Sequence, residues 1–521
     1  MVRALVWAAV VATLGCLPEI RTASDASSDA AGDAAVDAGS PPDAVGPPDV
    51  PPSDVGADVA TVDVFDAPAP LDGGDAGGDL GSDLGSDTGQ DVPLMAETAI
   101  DAGPDVFDGG HDVPRVDATT ADAAEVGPDV PMCAMGQTLC GGACVDTQRS
   151  AAHCGACGTA CRVGETCAAG LCFGRRLAAG GGSACFIRDD RSVVCWGNND
   201  AQKLGLASPR IIQPPRVIDT LPPLRSIAVG RQASFGLGVS GQLRGWGENI
   251  SGQLGLGTVT QQELPSTISG VSAVASAEPG NGFSCLRLDT GAVHCAGRNQ
   301  AGHLGDGTAQ PSNTFVQVPL PAPSIKLSSG QGHSCAVLMD GRVVCWGENQ
   351  SGQAQPGSTE AQLSPRIVAG VAGAVDVAVA GLSTCAVLLD GQCLCWGTNG
   401  GGQLGRGNLD PSSAVAPTAS SARFRQVAAA QHFFCAVETS GIVDCWGENA
   451  AGELGNVGRN FTTPQPISGL SSVETLACGD SFCCVLMAGE VWCWGSNSSS
   501  QLGTPESFTP QPVPQRVPLP R

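Results

Sequence analysis

Six tryptophans fix the frame of this chain: Trp196, Trp246, Trp346, Trp396, Trp446 and Trp494 lie on one lattice, with Ala296 at the vacant point, in steps of 50, 50, 50, 50, 50 and 48 residues. A fixed period of 40–50 residues is the signature of a repeat architecture, in which each unit buries its apolar faces only against its neighbours. Each copy reads as an apolar strand, a polar turn, a second strand ending in Cys-Trp-Gly or a close variant, and an Asn-containing turn. Gly241, Gly291, Gly341, Gly391, Gly441 and Gly489 share one turn slot, where a short hairpin loop needs positive φ; Arg191 departs from it in the first copy. A Pro- and Val-rich strand such as Pro214-Pro215-Arg216-Val217 follows the Leu-Gly turn. Strands such as Cys335-Ala336-Val337-Leu338 are apolar on both faces, so the sheet must be covered on both sides. Radially stacked four-stranded sheets meet that need, and the sequence predicts an all-β, seven-bladed β-propeller over residues 175–521. Pro510 to Pro520 is expected as the outer strand of the seventh blade; how the ring closes is not legible.

Six copies hold two cysteines ten residues apart: Cys185/Cys195, Cys285/Cys295, Cys335/Cys345, Cys385/Cys395, Cys435/Cys445 and Cys483/Cys493. The second copy has Phe235 and Gly245 in those slots, and joint loss is what a bonded pair predicts. Facing positions of a hairpin lie about 4.5–5.5 Å apart at Cα, within reach of a disulfide. A zinc site needs four ligands, and no regular His completes one. Six intra-blade disulfides are therefore expected. Cys393, Cys478 and Cys484 are left over; at least one stays free or pairs elsewhere, and Cys478 with Cys484 is conceivable. A tryptophan beside a glycine in each blade suits a packing wedge better than a ligand platform.

The segment Gly247-Glu248-Asn249-Ile250-Ser251-Gly252-Gln253-Leu254-Gly255, with close copies at Gly297–Gly305, Gly397–Gly405 and Gly447–Gly455, resembles the repeat of the regulator of chromosome condensation (RCC1) family; the fourth copy departs at Ala354-Gln355 and the seventh has Ser500 before Gln501. The resemblance covers about two-thirds of the chain. It implies a propeller and a range of functions: guanine nucleotide exchange on a small GTPase with chromatin docking, ultraviolet-B sensing in plants, and inhibition of β-lactamase by a secreted bacterial propeller. A fold shared by such a set does not choose among them.

Upstream of the array the chain changes character. Met1 to Cys16, MVRALVWAAVVATLGC, has one charge at Arg3 and a short apolar stretch, as a signal peptide does. Its ending Thr13-Leu14-Gly15-Cys16 resembles the lipobox of bacterial lipoproteins, which implies lipidation of Cys16; Leu17, where a retention aspartate would stand, implies outer-membrane or surface placement, with plain secretion as the other reading. Buried acyl methylenes at about 0.8 kcal/mol each hold such a protein without a transmembrane segment. Residues 17–132 read as a disordered Asp/Ala/Gly/Pro-rich linker: Ala23 to Met132 alone carries 23 Asp, 2 Glu and one basic residue, Arg115. Such a stretch cannot bury enough apolar surface to offset chain entropy. Its aspartates often recur every fourth residue, which is not the spacing of a calcium loop. At about 5–6 Å × √n it spans on the order of 60 Å, a stalk.

That linker holds nearly all of the net charge of −25, leaving a near-neutral remainder without an electrostatic footprint for nucleic acid. Residues 133–172 place Cys133, Cys140, Cys144, Cys154, Cys157, Cys161, Cys167 and Cys172 in a stretch too poor in large apolar side chains for a core. Four disulfides are expected, with 105 possible connectivities. Cys154-Gly-Ala-Cys157 lacks the βαβ context of a redox pair. The run is similar to small Cys-rich modules of exported bacterial lipoproteins, from which no chemistry carries over. No Walker loop, HExxH, GxSxG or supported Ser/His/Asp set occurs, so no catalytic residue, cofactor or metal is expected. The reading is a non-catalytic, surface-anchored binding or scaffold propeller, monomeric, with an unknown protein partner and membrane contact through a lipid anchor only. The alternatives are an inhibitor of a secreted enzyme and, disfavoured by export and disulfides, a nucleotide exchange factor. The segments after each Leu-Gly turn, Thr258–Ser266, Thr308–Thr314 and Asn408–Ala414, vary most and are where a ligand would be read.

Overall fold

A computed structural model describes residues 133–520, apart from 162–164, 207, 209–211, 412 and 505–507. The signal peptide, Cys16 and the linker expected at 17–132 lie outside the described residues. Among the described residues, no helix is long and apolar enough to cross a membrane.

Seven four-stranded antiparallel sheets form the propeller. Blade four shows the plan: an inner strand Ser324–Ser329, then His333–Leu338, Val343–Gly347 and an outer strand Gln362–Ile367. Its second strand is buried along its whole length, because both faces meet a neighbouring blade. The hairpin between second and third strands is a three-residue loop, Met339-Asp340-Gly341, whose left-handed glycine (φ 79°) returns the chain in register. In blade one Arg191 takes up the same left-handed conformation, φ 67°, without a glycine.

Every blade is one continuous stretch of chain, so the ring closes without strand exchange. Blade one runs from Leu177–Gly180 to Ile212–Val217 and blade seven from Val473–Cys478 to Gln511–Arg516, which is where the outer strand was expected. Packing and three bonds make the joint: Leu177, Trp196, Phe482 and Leu502 share one core, the Asp480 amide donates to Gly181 O (2.9 Å), the Trp196 indole to Gln501 O (2.9 Å), and Arg188 to Pro520 O.

The tryptophans are wedges with a polar anchor. All six on the lattice are fully buried. Each indole N–H donates to a carbonyl of the preceding blade: Trp246 to Lys203, Trp346 to His303, Trp396 to Gln353, Trp446 to Gln403 and Trp494 to Glu453, at 2.8–3.1 Å. At the vacant point the ring of Phe315, from the outer strand of blade three, packs on Gly255, where other blades set a tryptophan on Gly305 or Gly405. Phe315 stands where blades one, two, four, six and seven have Pro215, Pro265, Pro365, Pro464 and Pro514. Two substitutions in one blade thus exchange an indole for a benzyl ring.

Within the blades the structure bonds Cys185 to Cys195, Cys285 to Cys295, Cys335 to Cys345, Cys385 to Cys395 and Cys435 to Cys445. The expected Cys483–Cys493 bond is corrected: Cys493 pairs with Cys484, and Cys483 with Cys478 of the inner strand. The reason is the loop. Blade seven turns on two residues, Ala488 and Gly489, both left-handed (φ 51° and 77°), so its hairpin is one residue shorter and the register sets Cys484 opposite Cys493. Cys393 is the free cysteine among the described residues. In blade two the Phe235 ring covers Gly245, filling the volume the sulfurs take elsewhere.

The Cys-rich module consists of two short ribbons, Thr138–Cys140 with Ala143–Val145 and Thr166–Ala168 with Leu171–Phe173. Its four bonds are Cys133–Cys144, Cys140–Cys157, Cys154–Cys167 and Cys161–Cys172, each overlapping the next along the chain. Phe173, fully buried, lies between the guanidinium groups of Arg176 (4.6 Å) and Arg191 (4.7 Å) and fixes the module to blade one.

One buried charge works against the fold. Asp444 occupies a strand position held by Val194 and Val344 in blades one and four, and burial raises its carboxyl to about 6. A folded-state value above the unfolded one stabilises only below the unfolded value, about 3.9, and the benefit is gone once pH passes the folded value. Asp444→Val should therefore raise stability by about 1 kcal/mol at pH 7, with the gain shrinking as pH falls toward 4, as thermal melts across that range would show.

Candidate functional site

Seven inner strands surround a channel of about 1440 Å³. These strands are sheet edges, whose free amides and carbonyls need partners. Side chains of neighbouring blades supply them. Asp376 Oδ2 accepts from the Val427 amide (2.9 Å), Ser328 Oγ from Val379 (3.2 Å), and the Gln426 carboxamide brackets Leu476, donating to its carbonyl (2.9 Å) and accepting from its amide (3.3 Å). Several charges on the wall are engaged in the same way: Lys326 pairs with Asp376 (2.9 Å), Arg231 with Asp480 (3.5 Å), and Arg425 donates to the carbonyls of Val473 and Glu474.

At one end the channel is rimmed by the turns joining inner and second strands. Turn residues approach so closely that a Cβ on Gly180 would meet Val229 O at 2.2 Å and one on Gly330 would meet Ala380 O at 2.7 Å. Backbone bonds link successive turns, from Gly381 to Gln431 (3.1 Å) and from Gln431 to Asp480 (3.3 Å). At the other end the Cys-rich module lines the wall through Gln148, Arg149 and Glu165–Ala169.

The rimmed face also carries the long loops between third and outer strands. Their recurrent motif is structural. Asn249 Oδ1 accepts from the Leu254 amide (2.9 Å) while its Nδ2 donates to Thr258 O (2.9 Å) and Thr260 O (3.1 Å), and Asn199, Asn299, Asn349, Asn399, Asn449 and Asn497 accept in the same way. With asparagine and glycines holding the loop, the variable positions are turned outward: Ile250, Val259, Leu409 and Val457 are between 54% and 75% exposed. Asn408 and Asp410 in the variable segment give their carbonyls to Asn399 (3.1 Å each).

The unusual titratable groups are packed into the scaffold. His333 is fully buried with Nε2 2.8 Å from Thr384 Oγ1, and burial lowers it to about 3. Lys203 Nζ donates to Arg231 O (2.8 Å) across the first seam, and burial lowers its ammonium to about 8. Burial pushes the Cys393 thiol up, which suppresses the thiolate even though Cys395 Sγ is 3.9 Å away. The edge-capping side chains and the Phe315 exchange were not drawn from the sequence; Phe315, the aromatic at a proline position in the blade without tryptophan, was the available signal.

Residues 168–476 match the RCC1-like domain family, residues 473–501 and 488–521 match RCC1 repeats, and residues 115–174 match the stigma-specific STIG1-like protein family. A search of curated proteins finds no match. Among solved structures, Prp20p from Saccharomyces cerevisiae, described with its binding to Gsp1p and histones, is 20% identical with a TM-score of 0.58, covering 64% of this chain and 87% of that one. Human WBSCR16 is 24% identical with a TM-score of 0.57, covering 63% and 94%. At such identities these likenesses carry the fold alone. The family match spans more than half of the chain: this protein belongs to the RCC1-like domain family.

Proposed function

We propose that this protein is a non-catalytic, protein-binding propeller that grips its partner with the long loops of the rimmed face. One observation carries the reading: the recurrent loop residues are committed to holding the scaffold, while the loop tips, which differ from blade to blade, expose Ile250, Val259, Leu409 and Val457. Rigid loops with variable apolar tips are how a repeat scaffold reads a ligand. The channel walls support the same reading, because Lys326, Asp376, Arg231 and Asp480 pair with one another and Asp376 also holds a strand edge. The signal-like Met1–Cys16 and the acidic stretch 17–132 support display from a cell surface on a lipid anchor and stalk. Nucleotide exchange would rest on the fold alone and is not part of the proposal.

The hairpins of the opposite face expose apolar side chains too, Met339 and Leu389. A photo-crosslinking residue at 259, 409 or 457, compared with one at 339 or 389, therefore decides between the faces on intact cells. The loop positions should yield one common adduct and the hairpin positions none; adducts from 339 and 389 alone would refute the assignment.

A further inference from the structure

The seven seams of the ring are not equally joined. At six of them an indole bonds to the preceding blade, but between blades two and three Ala296 offers no donor. Hydroxyls at the facing position reinforce two seams, Ser234 donating to Lys203 O (2.8 Å) and Thr384 to Gln353 O (2.9 Å). Ser284, their counterpart in blade three, is buried with no partner for its Oγ. Blade two also carries no disulfide, since Phe235 and Gly245 replace the pair. A small void lies at the same seam, between Ile227 and Phe235 on one side and Val274 and Ala277 on the other. Four separate features weaken one joint.

Two arginines cross that joint, and both are held by the module or the segment leaving it. Arg175, three residues past Cys172, pairs with Glu278 of blade three at 2.5 Å. Its backbone is locked to blade two, where the Ile227 amide donates to Arg175 O (3.0 Å) and the Gly174 amide to Arg225 O (2.8 Å). Arg225 of blade two donates to Val274 O of blade three (2.9 Å) and pairs with Glu165 of the module, both side chains being 8% exposed. We infer that the Cys-rich module is a clamp: docked through Phe173, Glu165 and the Gly174–Arg175 segment, it holds the seam between blades two and three shut, and the ring opens there when the clamp is released. An ion pair on a half-buried surface matters most where neighbouring contacts are few, because local opening follows the least-joined element.

Hydrogen exchange on the full chain tests the clamp. In Arg175→Ala and in Glu278→Gln, the inner strands Leu224–Val229 and Val274–Pro279 should exchange about tenfold faster than in the parent, with Ala374–Val379 and Phe424–Ala429 unchanged. Phe173→Ala, which undocks the module with its disulfides intact, should give the same pattern. Lys326→Ala, which breaks an ion pair at a seam that keeps its indole and hydroxyl bonds, should leave exchange at that seam within about threefold of the parent. Unchanged exchange at blades two and three in the Arg175 and Phe173 variants overturns the inference, as does a uniform acceleration around the ring or earlier opening at another seam.

Discussion

Reduction after denaturation should abolish refolding of the propeller, whereas the same reductant applied to the native protein should leave its blade disulfides intact over hours. Each of the five ten-residue hairpin bonds closes a short loop, and a chain-entropy model assigns such a loop about 3 kcal/mol. Their sum is on the order of the whole stability of an ordinary domain, so a chain relieved of all of them has little left to hold it together. The protection of the native state has a different origin. Cys185, Cys195, Cys285, Cys295, Cys335 and Cys345 are completely buried between blades, and exchange requires a thiolate to reach a sulfur in line. Thiol counting by mass after native and denaturing reduction measures both arms. Full native-state reduction of the blade bonds within minutes, or cooperative refolding of the reduced chain, would contradict the argument. The Cys-rich module is the contrasting case: Cys157 and Cys161 lie nearer the surface than the blade sulfurs, so its bonds should yield first.

The period of fifty was legible because a propeller repeats its packing. A residue that must wedge between blades recurs at six of the seven seams, and the even spacing of the tryptophans makes the blade number countable from the sequence. The cysteine pairs were legible for the same reason, through the hairpin register. Blade seven shows the limit. Spacing of ten points to Cys483 and Cys493, but register follows the loop, and Ala488-Gly489 shortens it by one residue. Cys484 thus takes the slot that Cys435 holds in blade six, and Cys483, one residue earlier, lies on the other face of the sheet, opposite Cys478 of the inner strand. Ring closure stayed hidden because it uses no extra strand: the Trp196, Asp480 and Arg188 bonds and the shared core of the first and last blades make the joint. The channel's polar side chains were illegible in kind: Asp376 and Gln426 look like ordinary polar strand residues until a neighbouring blade's free backbone is placed beside them.

Trp396→Ala should cost about 3–5 kcal/mol, the usual price of emptying a buried aromatic site, with the hydrogen bond to Gln353 O lost as well. The reverse substitution, Ala296→Trp, should not recover that amount. Phe315 already stands against Gly255 in the volume an indole would need, with its ring carbons as near as 2.2 Å to a Cβ placed there, so the added ring overpacks the seam and costs about 1–3 kcal/mol. Phe315→Pro alone removes the benzyl ring and leaves Ala296 beside a cavity, again destabilising by about 3 kcal/mol. The double variant restores the arrangement of blades one and two, a tryptophan and Pro215 or Pro265 meeting at one glycine, and its indole gains a backbone acceptor at Gln253, as Trp246 has at Lys203. The two changes should therefore couple by more than about 2 kcal/mol in a double-mutant cycle read by denaturant unfolding. Additive losses would mean that Phe315 and the missing indole are independent accidents of one blade. Strong coupling would establish that the ring tolerates a vacancy on its tryptophan lattice only when a neighbouring strand fills it.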